Sequence, residues 1–206
     1  MLKATAQTSK PSGTKARIVK AALETLKAEG FGGASARSIA SRGGFNQALV
    51  FYHFGSVHQL LLAALDETSR QRMERYTSAV AGAHSLEELL GVARDIYQED
   101  LESGHVTVLS EMIAGSLGHP ELRAEIFTRV DPWIDFAESV IKKVLGGSPF
   151  ENLLPARDLA FAVVAFYLGM EQLAQLQPDE DRATPLFEAG TQMAALLGPM
   201  FKPIDG

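Results

Sequence analysis

Gln47, Ala48, Phe51 and Tyr52 stand at i, i+1, i+4 and i+5, so a helix drawn through them turns all four to one side. Asn46, Val50 and His53 fall on the other. A glutamine on such a face can donate and accept at once to the N6 and N7 edge of adenine, and an alanine methyl can meet the methyl of thymine. Reading a base edge, rather than making or breaking a bond, is the chemistry these types in this order could do. Bond-making chemistry finds no start. There is no H-E-x-x-H, no G-x-x-x-x-G-K loop and no G-x-S-x-G elbow. The histidines at 53, 58, 84, 105 and 119 lack metal-ligand spacing apart from the step from 53 to 58, which falls across two proposed helices. Cysteine is absent, which excludes disulfides, thiolate metal sites and cysteine nucleophiles and suits a reducing cytoplasm. No catalytic residue, metal or cofactor is indicated.

The elements that would hold this face are short and locally specified. Ser35 has the side-chain acceptor of an N-cap, followed by a helical run with Ile39 and Ala40 inward. Gly43-Gly44 stops that helix, since glycine reaches positive φ without steric cost, and Asn46 can cap a second helix over Gln47 to Tyr52. Phe45 and Val50 have the spacing of a hydrophobic staple. A short helix held against a preceding one by a glycine-containing turn is the geometry that fits a major groove. Ahead of the pair, Ile18, Val19, Ala22, Leu23 and Leu26 recur at helical spacing over Thr14 to Glu29, with Gly30-Phe31 as the stop. Lys15 and Arg17 near its start are candidates for phosphate contact. Residues 1–13 are polar, with no apolar run of the kind an export signal needs, and read as an arm whose Lys3 and Lys10 could reach phosphates or a minor groove.

At these residues the sequence resembles a known family. Arg37, Ile39-Ala40, Gly44-Phe45-Asn46, Val50 and Tyr52-His53-Phe54-Gly55-Ser56 look like the helix-turn-helix of TetR-family transcriptional regulators, in ungapped register from about Ile18 to Leu65. With the resemblance, the candidate DNA contacts are Ser35, Arg37, Asn46, Gln47, Ala48, Phe51, Tyr52 and His53, together with Lys15 ahead of the matching register. The sequence departs from the family at Phe51 and Val57, where tyrosine and lysine usually contact phosphate. The remaining two thirds resemble the family in length and helical pattern only.

Net charge supports a polyanionic partner once it is divided. The whole chain carries −6, but residues 1–65 hold eight basic residues against Glu24 and Glu29, leaving −12 on residues 66–206. A basic head on an acidic body turns one end toward a polyanion and repels the rest. At 206 residues, with 46% hydrophobic and 21% charged side chains, the chain can bury a core in one or two domains.

The rest of the chain reads as helices. Ser56-Val57-His58-Gln59 has capping-box spacing and opens a long helix to about Ala81, a possible lever between head and body. Ser85-Leu86-Glu87-Glu88 opens another that ends before Gly104, and Val106 to Leu117 follows. Glu121 to Leu145 contains Pro132, which should kink or divide it near Asp131. Leu159 to Met170 is apolar on every side; at 12 residues it is short for a bilayer and needs protein around it, as a core or an interface helix. Leu186 to Leu197 forms a last amphipathic stripe. Tyr97, Met112, Trp133, Phe136, Phe166, Tyr167 and Met170 are numerous enough to line an apolar cavity, with Gln98, His105, Glu111 and Gln172 as orienting groups.

The reading is an all-α protein with a flexible arm (1–13), a three-helix DNA-binding head (14–65, motif 35–54) and an effector-binding and dimerisation body (66–206). With the family resemblance it implies a ligand-responsive cytoplasmic regulator, a repressor binding a palindromic operator as a homodimer through its last two helices and released by a small apolar or aromatic effector. The other reading is a helical small-molecule-binding or interaction module with a degenerate head.

Overall fold

The computed structural model describes residues 13–200 apart from 154 and 178, with the side chain of His105 also left aside. The arm therefore lies outside the described residues except for Gly13, where α1 begins. Among the described residues the secondary structure is helical throughout: α1 Gly13–Gly33, α2 Ala36–Gly43, α3 Ala48–Phe54, α4 Val57–Ala81, α5 Leu86–Ser103, α6 His105–Ser116, α7 Pro120–Leu145, α8 Ala156–Leu176 and α9 Ala183–Leu197, then a 3-10 turn at Gly198–Met200. The fold is all-α, and two compact units divide it between Leu65 and Asp66.

In the first unit, Ile18, Val19, Ala22 and Leu26 on α1, Ile39 and Ala40 on α2, Val50 on α3 and Leu60, Leu61 and Leu65 on α4 are all buried. The 3.6-residue period of the sequence thus becomes a small core. At Gly30 the backbone takes φ 70°, a kink in α1 where a stop is expected, and the chain keeps helical pairing to Gly33.

In the second unit, α7 packs along α8, α5 along α9, and α6 against both α7 and α8. Arg129 on α7 forks onto Asp66 of α4, with Nε to Oδ1 at 2.7 Å and Nη2 to Oδ2 at 3.1 Å. Arg157 on α8 pairs with Asp131 and Asp135 on α7, and Ala83 and Leu89 pack with Val80, Val92, Val140 and Val144.

Two expectations change here. Pro132 does not divide α7, which is one helix from Pro120 to Leu145. Proline cannot donate to the carbonyl four residues back, that of Thr128, but both residues are exposed and water can take the donor's place. The apolar run of 159–170 is part of a 21-residue helix, and it is not surrounded by its own chain: Phe161, Val163 and Phe166 are exposed, as are Leu173 and Leu176. By length and hydropathy α8 would pass for a membrane span, so shortness is no argument against one. Its other side packs on α7 and buries Glu171 within the body.

Candidate nucleic-acid interface and a buried polar cluster

The turn between α2 and α3 is built by capping and by one tight approach. Ser35 is in extended backbone at the N-cap of α2, and its Oγ accepts from Ser38 N at 3.1 Å while Ser38 Oγ accepts from Ser35 N at 2.9 Å. This reciprocal box satisfies two otherwise unpaired donors. The Ser38 hydroxyl is the member that spacing alone did not nominate. Gly44 closes α2 in the left-handed region at φ 65°. Gly43 is needed for a different reason: a Cβ there would lie 2.2 Å from Phe45 Cε1 and 2.8 Å from the Ala21 methyl. Phe45 also lies under the Arg17 guanidinium, 5.8 Å from the ring centre. Arg42 ties α2 to α1, donating from Nε to Thr25 Oγ1 at 3.1 Å and from Nη2 to Glu29 Oε1 at 2.6 Å. This basic residue is thus occupied in holding the head together.

The second helix of the pair, α3, starts one residue later than its spacing suggests. Asn46 Oδ1 accepts from Ala48 N at 2.9 Å, Gln47 occupies the N-cap position in helical backbone, and α3 runs to Phe54. The predicted face stands outward: Gln47 and Ala48 are exposed, Phe51 is 51% exposed and Tyr52 81%. Val50 at 0% anchors the opposite side. Asn46, Arg37 and Lys15 are exposed too. His53 is half-buried between Tyr52 and Phe54, with ring centres 4.9 Å and 6.4 Å away. Ser35 is exposed, with its hydroxyl committed to the cap. Val57 is half-buried and apolar, and neither it nor Phe51 has a polar side-chain atom to offer a phosphate.

The head matches the family model described as bacterial regulatory proteins, tetR family, over residues 18–64. The N-terminal unit is a TetR-family helix-turn-helix domain. An uncharacterized HTH-type transcriptional regulator of Mycobacterium bovis is 26% identical over 110 residues, 53% of this chain and 56% of that protein, so the match spans about half of each. Solved regulators share the fold over about nine-tenths of the chain. The fatty acid degradation regulator FadR from Bacillus halodurans superposes with a TM-score of 0.75 at 16% identity, covering 90% of this chain and 96% of that one. A transcriptional regulator FadR from Bacillus subtilis, in complex with stearoyl-CoA, gives 0.70 at 15% identity over 87% and 96%.

In the body of this TetR-fold chain, some of the residues expected to line a cavity gather and others do not. Tyr97 is buried, with its ring 5.9 Å from that of Tyr167 in a T-shape and 5.6 Å from Phe187. Trp133 stands 5.5 Å from Tyr76, and the Arg72 guanidinium lies over both rings at 5.5 and 5.2 Å. Met112 is fully buried on α6, and Phe136 and Met170 are half-buried. Phe166 is 56% exposed and is corrected from a lining to a surface residue, because the side of α8 that carries it is left uncovered by the described residues. Gln98 and Gln172 are also exposed and do not orient anything inside; Glu111 is half-buried, and the His105 side chain lies outside the described residues.

Apart from Tyr167, the polar groups that occupy this interior are ones sequence reasoning passed over. Asp100, 4% exposed on α5, pairs with Arg72 and accepts from the hydroxyls of Tyr76 and Tyr167 at its Oδ2. Arg72 also donates to Tyr76 OH from Nε at 3.0 Å and from Nη2 at 2.7 Å. Glu171 is 1% exposed, one turn beyond Tyr167. Its burial pushes the carboxyl up to about 7, against the opposing pull of Tyr167 and Arg72. The signal available in sequence was Glu171 directly after an apolar run, at i+4 from a tyrosine. Among the described residues no three His, Asp or Glu side chains gather as a metal site would require.

Proposed function

We propose that this chain is a ligand-responsive transcriptional regulator, a repressor that binds a palindromic operator as a homodimer and releases it when a small effector enters the body. The observation that carries this is the exposed face of Gln47, Ala48, Phe51 and Tyr52 on α3 of a TetR-family domain. Gln47 reads adenine, Ala48 and the Tyr52 ring contact thymine methyls or the backbone, and Lys15 and Arg37 neutralise phosphates. Titration of the DNA beside the protein's own gene in a gel shift, at fixed salt, tests it. Gln47→Ala and Tyr52→Ala should each cost about 1–3 kcal/mol on the specific site and little on random duplex. Sequence preference unchanged in both variants would remove the assignment.

The second reading, a small-molecule-binding module whose head no longer reads sequence, is favoured by Phe51 and Val57, which cannot hydrogen-bond phosphate. The same titration separates the two, since a specific-to-random ratio near one selects it.

Dimerisation is assigned to the uncovered sides of α8 and α9. Phe166, Leu173 and Leu176 share one side of α8, and Leu186, Met193 and Leu196 recur at seven and three residues on α9, all exposed in the single chain. Two copies pairing these sides form a four-helix interface. Sedimentation of the wild type should show a dimer, and Leu173→Glu with Leu196→Glu should give a folded monomer. A wild-type monomer at micromolar concentration would overturn the assignment. Coupling is carried by α4, which starts three residues after α3 ends and bears Arg72 and Tyr76 further on. An effector preferring mis-spaced heads tenfold weakens operator binding by about 1.4 kcal/mol for each coupled site.

A further inference from the structure

The buried cluster of the body is one positive charge short. Arg72 is committed to Asp100 and to the Tyr76 hydroxyl, and its charge reaches Glu171 only as a pull that burial outweighs. The hydroxyls of Tyr76 and Tyr167 both lie on Asp100 Oδ2, and that of Tyr167 is shared with the Glu171 carboxylate. Glu171 is left with an Oε1 that meets no donor among the described residues, at 1% exposure. A carboxylate so placed is expensive unless something supplies a proton or a cation. The groups around it are known: Arg72 and Tyr76 from α4, Tyr97 and Asp100 from α5, and Tyr167 from its own helix. The hydroxyls of Tyr76, Tyr97 and Tyr167 are all raised, first by their own burial and then in part by the charge of Glu171. Ser110 Oγ on α6, the helix packed against α8, is a second buried oxygen that meets no partner among the described residues.

We propose that Glu171 anchors the cationic head of the effector, an amine or amidine whose apolar or aromatic body lies against the tyrosine rings of this cluster. The assignment deepens the effector-responsive reading above and rests on it for the word effector, though not for the binding itself. A bound ammonium gives Oε1 its missing donor, balances the second carboxylate and meets the faces of aromatic rings, which attract cations. An anionic ligand would gain none of these. Because Glu171 titrates near neutrality, cation binding also drives its proton off, so uptake of the ligand releases a fraction of a proton at about pH 7.

Trp133 is the chain's one tryptophan and sits on Tyr76 and Arg72, so its fluorescence reports on the cluster. The full-length protein is titrated with phenethylamine, 2-phenylethanol and 3-phenylpropanoate at about pH 8, a unit above the Glu171 midpoint. The amine should bind at least about tenfold tighter than the alcohol or the carboxylate, a preference Glu171→Gln should erase by weakening the amine alone. Calorimetry of the wild type in two buffers of different ionisation enthalpy should show proton release with the amine and none with the alcohol, a readout that stands even if the variant fails to fold. Equal affinity for the three probes, no saturable amine binding, or an amine preference intact in Glu171→Gln overturns the proposal. Since no DNA enters these measurements, amine selectivity without operator binding would sink the regulator reading and leave this site standing; operator binding without amine selectivity would do the reverse.

Discussion

Glu171→Gln should abolish a loss of stability that the wild type suffers as pH rises through neutrality. The carboxyl titrates at about 7 in the folded protein and near its ordinary value of 4.5 once unfolded. Below about pH 4.5 both states hold the proton and burial costs no charge. Between about 4.5 and 7 the unfolded chain ionises first, so the native state is progressively disfavoured, and above 7 the penalty is complete. A displacement of this size corresponds to something on the order of 3 kcal/mol, and at 1% exposure solvent does not screen it away. The measurement is urea unfolding of wild type and variant at about pH 5 and pH 8, followed by Trp133, which reports on the body. The difference between the two proteins, not either curve alone, isolates Glu171 from the other carboxylates. The variant should gain on the wild type by a few kcal/mol on going from the lower pH to the higher. Parallel curves would show that Glu171 is ionised at no cost and that its environment is not the dry one described.

Gly43→Ala should be the most damaging one-carbon addition in the head. The new methyl would meet Phe45 Cδ1 at 2.7 Å and Cε1 at 2.2 Å, and the Ala21 methyl at 2.8 Å. Ala21 is 3% exposed and has no rotamer to change, while Phe45 is held under Arg17. The strain therefore moves α2 or the turn, at a cost of about 1–3 kcal/mol or more. In a unit with so small a core that is a large share of the total, and the entry angle of α3 goes with it. Gly44→Ala is the informative contrast: nothing lies within 4 Å of its Cβ, and the cost is only the left-handed backbone at φ 65°, about 1–2 kcal/mol. Thermal unfolding and operator titration of the two variants should rank Gly43→Ala below Gly44→Ala. Phe45→Leu added to Gly43→Ala should recover part of the loss by giving the methyl room. Equal behaviour of the two alanine variants would mean that only backbone conformation constrains the turn.

Much of the head was legible because its determinants are local. A serine cap acts over three residues, a glycine stop over one, and the period that turns Gln47 and Tyr52 outward needs only Val50 to anchor it inward. The body was legible as a succession of helices for the same reason: the helix starts at Ser56 and Ser85 are held by their own hydroxyls, which accept from Gln59 N and Glu88 N at 3.1 Å. What these helices do with their faces was not. Composition left α8 as either a core or an interface helix, and only the placement of α6 and α7 on one side shows which residues are left bare. Phe166 and Tyr167 are neighbours in the chain, yet one is exposed and the other enters the cluster, a division settled by α5 and not by their own type. Asp100 meets Tyr76 and Tyr167 from 24 and 67 residues away, and Pro132 stays within its helix at an exposed position, where water can reach the Thr128 carbonyl it leaves without a donor. Chain order was enough to show which stretches are helical and which short helix leaves a face outward, with ends off by a residue at α3 and by several at α1 and α8, since caps and periodicity act within a few residues. Tertiary structure alone decided which charges are buried together, because desolvation and pairing depend on neighbours that chain order does not specify.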